Sequence, residues 1–250
     1  MSSRPLRAAL ALLALAGATA ARAEELGMGG GASPMSGSFE FRYGNYKPNV
    51  DGSSFSSLPA GATGPWASTF GSGRKSEFSL HGAKALPWRT YGTVEIGLGA
   101  AWFQANGQGH FLGGGASQDT TSFSMVPTSL TLTYRADVLF DRFGFPLVPY
   151  GRVALQRYNW WVTGTTGSTS KSGATDGYSY GGGVAFVLDW VDAGLARELD
   201  HDTGINHTML VFDASKTKVD DFGATRNKKP TSWDLSDTTW TYSFGLLFVF

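Results

Sequence analysis

A chain of 250 residues with no cysteine, 14% aromatic and only 16% charged residues falls well below the ~25% charge usual in soluble domains. Twenty basic side chains face twenty acidic ones, which leaves no basic field for nucleic acid. The missing cysteines exclude a disulfide framework and a lipid-carrying cysteine.

At the start of the chain, Arg4 and Arg7 precede an apolar stretch from Ala8 to Ala16, and Ala21-Arg22-Ala23 stands before Glu24. That is the anatomy of a secretory signal peptide with an A-x-A site, and its apolar part is about half the ~20 residues of a spanning helix. Cleavage after Ala23 is expected, so that residues 1–23 are lost and residues 24–250 form one domain with 17 bases against 20 acids.

Beyond residue 23 the longest unbroken apolar run is seven residues, Phe244 to Phe250. A chain this poor in charge that sits in lipid without a helix must close a sheet, because only helices and closed barrels satisfy every backbone group away from water. Period-two alternation marks the strands. Phe39, Phe41 and Tyr43 alternate with Glu40 and Arg42. Phe78 and Leu80 alternate with Glu77, Ser79 and His81. Val94, Ile96, Leu98 and Trp102 alternate with Glu95, Gly97 and Gly99. Leu130, Leu132 and Tyr134 alternate with Thr131, Thr133 and Arg135. A strand of ambiguous phase covers about 147–162. Val184, Phe186, Leu188 and Trp190 alternate with Gly183, Ala185 and Asp189, and a weaker strand covers about 207–216.

The last strand places Trp240, Tyr242, Phe244, Leu246, Phe248 and Phe250 on one face. The expected fold is therefore all-β, a transmembrane antiparallel up-and-down β-barrel of eight strands. Polar stretches near 47–73, 104–119, 163–177 and 217–234 read as long loops. Leu86-Pro87-Trp88 and 141–146 read as short turns, and 191–206 as a longer return with a helical turn around Ala193 to Asp200. Long and short connections alternate as in outer-membrane barrels, with the termini on the short-turn, periplasmic side. Tyr91 to Trp102, Tyr178 to Trp190 and Trp240 to Phe250 bracket strands at a spacing that matches the ~25 Å band between aromatic girdles. A soluble lipocalin-like barrel would need a charged exterior, whereas the alternate face here is mainly Gly, Ser and Thr.

The terminal strand resembles the C-terminal insertion signal of bacterial outer-membrane proteins, which the barrel-assembly machinery would read. Phe39-Glu40-Phe41-Arg42-Tyr43-Gly44-Asn45-Tyr46-Lys47-Pro48, Val148-Pro149-Tyr150-Gly151 and the run from Glu198 to Thr208 complete a likeness over the whole chain. Together they resemble a family of small outer-membrane β-barrel proteins from myxobacteria-like Gram-negative bacteria. The resemblance implies a fold and a location, and no reaction. That family carries Glu after its seventh-strand aromatic, and this sequence has Asp213.

Candidate chemistry is sparse. His110, with Ser117 and Asp119, has the residue types of a Ser-His-acid set, which is defined by geometry and not by order; a solvated loop histidine is the plainer reading. Asp200, His201, Asp202, Asn206 and His207 are ligand types without zinc-like spacing, and turn chemistry with Gly204 in the left-handed region accounts for them. Gly113-Gly114-Gly115 lacks the helix and Lys of a phosphate loop. Lys216, Lys218, Arg226, Lys228 and Lys229, interspersed with Asp220 and Asp221, could meet lipopolysaccharide phosphates or form a solvated loop.

Phase directs Glu40, Arg42, Glu77, Glu95, Arg135, Asp137 and Arg152 inward, four acids against three bases. Eight strands leave a lumen just wide enough for side chains to fill, so a plug of ion pairs is expected. The sequence reads as a non-enzymatic, monomeric outer-membrane barrel without cofactor or metal, in contact with outer-membrane lipid and lipopolysaccharide. Two other readings are a narrow conduit or binding barrel for small apolar solutes and a lipid A-modifying enzyme.

Overall fold

The computed structural model describes residues 35–53, 63–87, 91–110, 116–164, 169–227 and 232–250, and the expected signal peptide lies outside them. Eight strands follow in chain order: β1 (Gly37–Tyr46), β2 (Lys75–Ala85), β3 (Thr93–His110), β4 (Ala116–Arg135), β5 (Leu147–Thr163), β6 (Thr169–Val187), β7 (His207–Lys218) and β8 (Thr241–Val249). Each pairs antiparallel with its sequence neighbours, and β8 pairs with β1 to close the barrel. Closure removes both sheet edges and pairs the backbone all round.

One paired row runs from Gly44 through Ser243, Asp213, Gly183, Tyr150, Arg135 and Thr93. Extending the β2–β3 and β1–β2 registers brings it back ten positions along β1 (44 against 34). A stagger of ten over eight strands, at ~3.3 Å per residue and ~4.8 Å between strands, tilts the strands by about 40°.

This tilt converts the alternation into two surfaces. Outward stand Phe41, Phe78, Ile96, Leu98, Trp102, Leu130, Leu132, Val153, Leu155, Phe212, Phe244 and Leu246, all substantially exposed. The outward face turns polar at Gln104 on β3 and at the Arg157–Asp176 ion pair between β5 and β6 (3.0 Å). Ten residues separate Val94 from Gln104 on β3, roughly 25 Å along the barrel axis, the height of a hydrocarbon band. A contiguous apolar belt of this size marks contact with lipid.

Much of the described part of two expected loops is instead strand. Residues 104–110 and 116–119 continue β3 and β4, and 169–177 belong to β6, so four strands rise above the belt as a sheet. Their Ser, Thr, Gly and Asn content suggests loop, yet cross-strand pairing from Gln104↔Ser124 to Gln108↔Thr120 extends the ladder. The sixth strand also ends earlier than expected, at Val187. Leu188–Trp190 forms a 3-10 turn that carries Trp190 to the rim, where it packs edge-on to Phe186 at 6.2 Å.

Among the described residues four α-helices sit at the ends. At the loop end, α1 (Val50–Ser53) and α2 (Pro65–Phe70) lie in the β1–β2 connection. The Asp51 carboxylate accepts from the Trp66 and Ala67 amides, at 2.7 and 2.9 Å, and so caps α2. At the turn end, α3 (Val138–Phe143) joins β4 to β5, and α4 (Ala193–Thr203) joins β6 to β7. Asp192 caps α4 through the Gly194 and Leu195 amides, so neither Asp200 nor Asp202 is the N-cap. Gly204 ends the helix at φ 70°, a conformation that costs glycine nothing.

Candidate functional site

The inward face divides into three levels. At the turn end, Val148, Ala185, Val187, Met209, Val211, Leu247 and Val249 form a buried apolar layer, with Phe140 of α3 packed beneath it. At the loop end, Tyr46, Phe103, Phe123, Met125, Tyr158 and Trp160 from the strands meet Trp66, Val219 and Leu235 from the connections. Trp233 stacks on Trp160 at 4.2 Å. The ion-pair plug expected from the sequence is thus only part of the closure, and burial of apolar side chains at both ends supplies the rest.

The loop-end cap is held by a polar clasp. Arg74 donates to Asp237 through two nitrogens, at 3.1 and 2.5 Å, to Thr239 Oγ1 at 2.7 Å, and to Asn45 Oδ1 at 2.6 Å. Pro48 bridges to Asp237, Asn49 Nδ2 donates to Asp234 at 3.2 Å, and the Tyr46 hydroxyl donates to the Leu235 carbonyl. The β7–β8 connection therefore lies across the mouth as a strap.

Between the two apolar layers the inward-phased charges collect into two networks. In the first, Glu40 binds Arg42 Nε and, at 2.6 Å, Arg152 Nη2. Arg42 also reaches Asp213 Oδ1 at 3.3 Å and lies over the Tyr150 ring at 5.7 Å. Tyr150 Oη donates to Asp213 Oδ2 at 3.3 Å, and Arg152 Nε donates to Thr133 Oγ1 at 2.9 Å. In the second, Arg135 donates to both Glu95 oxygens, at 3.2 and 3.3 Å, and to Asp137 Oδ1 at 2.7 Å; Ser38 Oγ donates to Glu95 Oε2 at 3.0 Å. Glu77 joins neither network. It faces a central cavity together with His81.

Asp213, Tyr150, His81 and the aromatic cap were not among the residues read from the sequence as site residues. In β7, Met209 and Val211 inside alternate with Leu210 and Phe212 outside. Both faces are apolar near the turn end, so no phase was legible, and only the acid at Asp213 after Phe212 betrays it.

The remaining candidates scatter. His110 pairs with Ala116 across the β3–β4 ladder, and its side chain, like those of Ser117 and Asp119, lies outside the described residues; so does Gly113-Gly114-Gly115. His201 on exposed α4 pairs with Asp202 at 2.9 Å, and that hydrogen bond and charge raise its pKa above the ordinary 6.5. His207 binds Asp189 at 2.6 Å instead, and the Asn206 amide donates to the Val249 carbonyl. Among the described residues no group of three or more metal-ligating side chains converges. Lys216 Nζ donates to the Asp237 and Thr239 carbonyls, both at 3.0 Å, and Lys218 lies 3.9 Å from Asp220. Both lysines therefore serve the strap. Asp221 accepts from the Asp176 amide at 3.5 Å. The side chains of Arg226, Lys228 and Lys229 fall outside the described residues.

On the terminal strand, Tyr242, Phe244, Leu246 and Phe248 point outward, flanked by Trp240 just before β8 and Phe250 just after it. The Phe250 carbonyl accepts from the Ser36 and Gly37 amides at 2.5 and 2.7 Å, and its amide donates to the Gly37 carbonyl at 3.0 Å. The last residue thereby completes the β8–β1 seam.

No protein-family model matches the chain, and no curated protein matches it in sequence. Among solved structures, Neisserial surface protein A is 12% identical over 88% of this chain and 100% of that chain, with a TM-score of 0.44. The N-terminal β-barrel domain of Pseudomonas aeruginosa OprF is 12% identical over 87% and 100%, with a TM-score of 0.40. Ail, the attachment invasion locus protein of Yersinia pestis, in complex with the heparin analogue sucrose octasulfate, is 12% identical over 86% and 97%, with a TM-score of 0.38. At 12% identity and TM-scores of 0.38 to 0.44 these likenesses carry no conclusion about role. The chain is a closed eight-stranded antiparallel β-barrel that resembles outer-membrane proteins of Gram-negative bacteria.

Proposed function

We propose that the protein is a non-enzymatic barrel of a Gram-negative outer membrane, exported by its signal peptide, which displays its loop end to the cell exterior for envelope structure or surface interaction. The observation that carries this reading is the combination of an apolar outward belt with a lumen closed at both ends by the barrel's own residues. A body sealed in this way offers its partners the raised β3–β6 sheet and the strap. The polar lining of the central cavity weighs against a conduit for apolar solutes. Of the described histidine side chains, His81 faces the lumen, and His201 and His207 lie at the turn end, away from the exterior rim where a lipid-modifying site would sit; the side chain of His110, the rim candidate, is outside the described residues. Membership of the myxobacteria-like family would agree with this location and adds no activity.

Because the chain has no cysteine, single-cysteine variants test the orientation directly. In intact cells a membrane-impermeant maleimide should label Gln108→Cys on the raised sheet and spare Glu198→Cys on α4. The reverse pattern would invert the orientation, and labelling of neither would refute display at the surface.

A further inference from the structure

Four strands carry the barrel wall above the lipid belt, and their outward face keeps the phase of the belt while its chemistry changes. Gln104, Ser124, Trp161 and Ser172 form one paired row across β3, β4, β5 and β6, and Asn106, Ser122 and Thr163 form the next. The side chains of opposite phase, Phe103, Phe123, Met125 and Trp160, are buried in the aromatic cap, so the polar set looks away from the lumen. Amides at Gln104, Asn106, Gln108 and Asn159 stand among hydroxyls, and Gln104, Asn106, Gln108 and Ser172 are exposed. Among the described residues this face has no ionisable side chain above the Arg157–Asp176 pair. Lys171 turns to the other side, 5.5 Å from the Trp233 ring.

Such a face suits a neutral, polyhydroxylated partner. A side-chain amide offers both donor and acceptor and so matches a sugar hydroxyl, which is also both. Phosphate groups are held by arginine or lysine instead, and the cation at the foot of this face is already matched by Asp176 at 3.0 Å. Part of the array is fixed in advance. Ser122 Oγ donates to Asn106 Oδ1 at 2.7 Å, and Gln104 Nε2 donates to the same oxygen at 3.3 Å, which lowers the ordering cost of binding. Trp102 is 43% exposed, and its ring centre lies 5.8 Å from that of Trp161. Indoles at such a border lay an apolar face against the C–H side of a pyranose and keep an N–H for its hydroxyls. Position names the source of the sugar. The face looks sideways, in the phase of the belt, and rises about 10 Å from Gln104 to Gln108 at the strand tilt. It therefore meets what stands beside the barrel in the same leaflet, and not a ligand arriving at the mouth.

We propose that the outward face of the raised sheet binds the neutral core saccharide of neighbouring lipopolysaccharide, with Trp102 and Trp161 against pyranose rings and Gln104, Asn106 and Asn159 on their hydroxyls. This assignment rests on the outward display of the loop end proposed above. The lipid anchor of the same molecule lies along the belt below, so a weak saccharide contact is held at high local concentration.

A titration of the purified chain, refolded in detergent micelles, separates the saccharide from its lipid anchor and from orientation. The probe is the soluble core oligosaccharide of a rough lipopolysaccharide, freed of phosphate, and inorganic pyrophosphate is the control. The oligosaccharide should shift the Trp102 and Trp161 indole resonances saturably, and pyrophosphate should not. Trp161→Ala should weaken the response about tenfold. Gln104→Ala combined with Asn106→Ala, both at exposed positions, should do the same and decides the matter if Trp161→Ala does not fold. In nanodiscs, rough lipopolysaccharide should raise the temperature at which the folded gel band is lost, relative to lipid A alone, and should not do so in the double variant. The proposal falls if folded protein does not respond to the oligosaccharide, if pyrophosphate reproduces the response, or if the double variant binds as tightly as the parent. It falls equally if the two kinds of nanodisc behave alike. A failed titration leaves the orientation untouched, whereas inverted cysteine labelling would remove lipopolysaccharide as the partner and leave the fold.

Discussion

Replacing Arg135 by alanine isolates the second ion network. The Arg135 side chain is 2% exposed and makes three charge-assisted hydrogen bonds, two to Glu95 and one to Asp137. Without it, Glu95 retains Ser38 as a donor, and Asp137, whose Oδ2 already lacks a partner, loses the bond to Oδ1. Removing one partner of a buried pair costs about 3–5 kcal/mol, because the other charge is left buried and uncompensated. With a urea m-value of about 2 kcal/mol/M, the unfolding midpoint should fall by roughly 2 M. Trp fluorescence and far-UV circular dichroism of protein folded in micelles would measure it. Arg135→Lys keeps one charge and gives up the fork geometry, so its loss should be smaller. Arg135→Met combined with Glu95→Gln should recover part of the loss of Arg135→Ala, since it removes one of the two stranded carboxylates and leaves only Asp137. An Arg135→Ala midpoint within about 0.3 M of the parent would refute the view that this network is dry.

Other consequences are open to direct measurement. Planar-bilayer recordings of purified protein should show no stable porin-sized steps, because apolar layers close both ends of the lumen; steady open steps would overturn the closed-lumen reading. Asp237→Ala should free Arg74 and loosen the strap, which would appear as red-shifted Trp emission and faster proteolysis at the loop end, while the barrel keeps its heat-modifiable gel mobility. Substituting Phe250 by Ser should lower the amount of folded barrel in the outer membrane and leave export across the inner membrane intact; unchanged folded protein would remove the terminal residue from the insertion signal. His201 should titrate above 6.5 in proton NMR and return toward 6.5 in Asp202→Asn. A raised folded-state pKa means that the pair's contribution to α4 is complete below the unfolded pKa and is lost as pH rises through the folded one.

The sequence by itself determined the eight strands, their order and the inward phase of Glu40, Arg42, Glu95 and Arg135. Within the apolar belt one face must meet lipid and the other a polar lumen, so alternation along β1 to β4 and β8 is legible residue by residue. The same rule explains where it failed. Near the turn end Val148, Met209 and Val211 point inward to an apolar layer, both faces of β5 and β7 become hydrophobic, and the phase vanishes. Above the belt the outward face is polar and the inward face aromatic, as at Gln104 and Phe103, so these strand extensions passed for loops. Only the tertiary structure decided which charges meet. Glu40 and Arg152 are 112 positions apart in the chain, and Arg42 and Asp213 belong to strands that both pair with β8. Their contact depends on the ten-residue stagger of the closed barrel, which is set by all eight registers together and by no segment alone. The strap is of the same kind: Asp237 becomes a structural residue only when closure brings Arg74 and Pro48 against it.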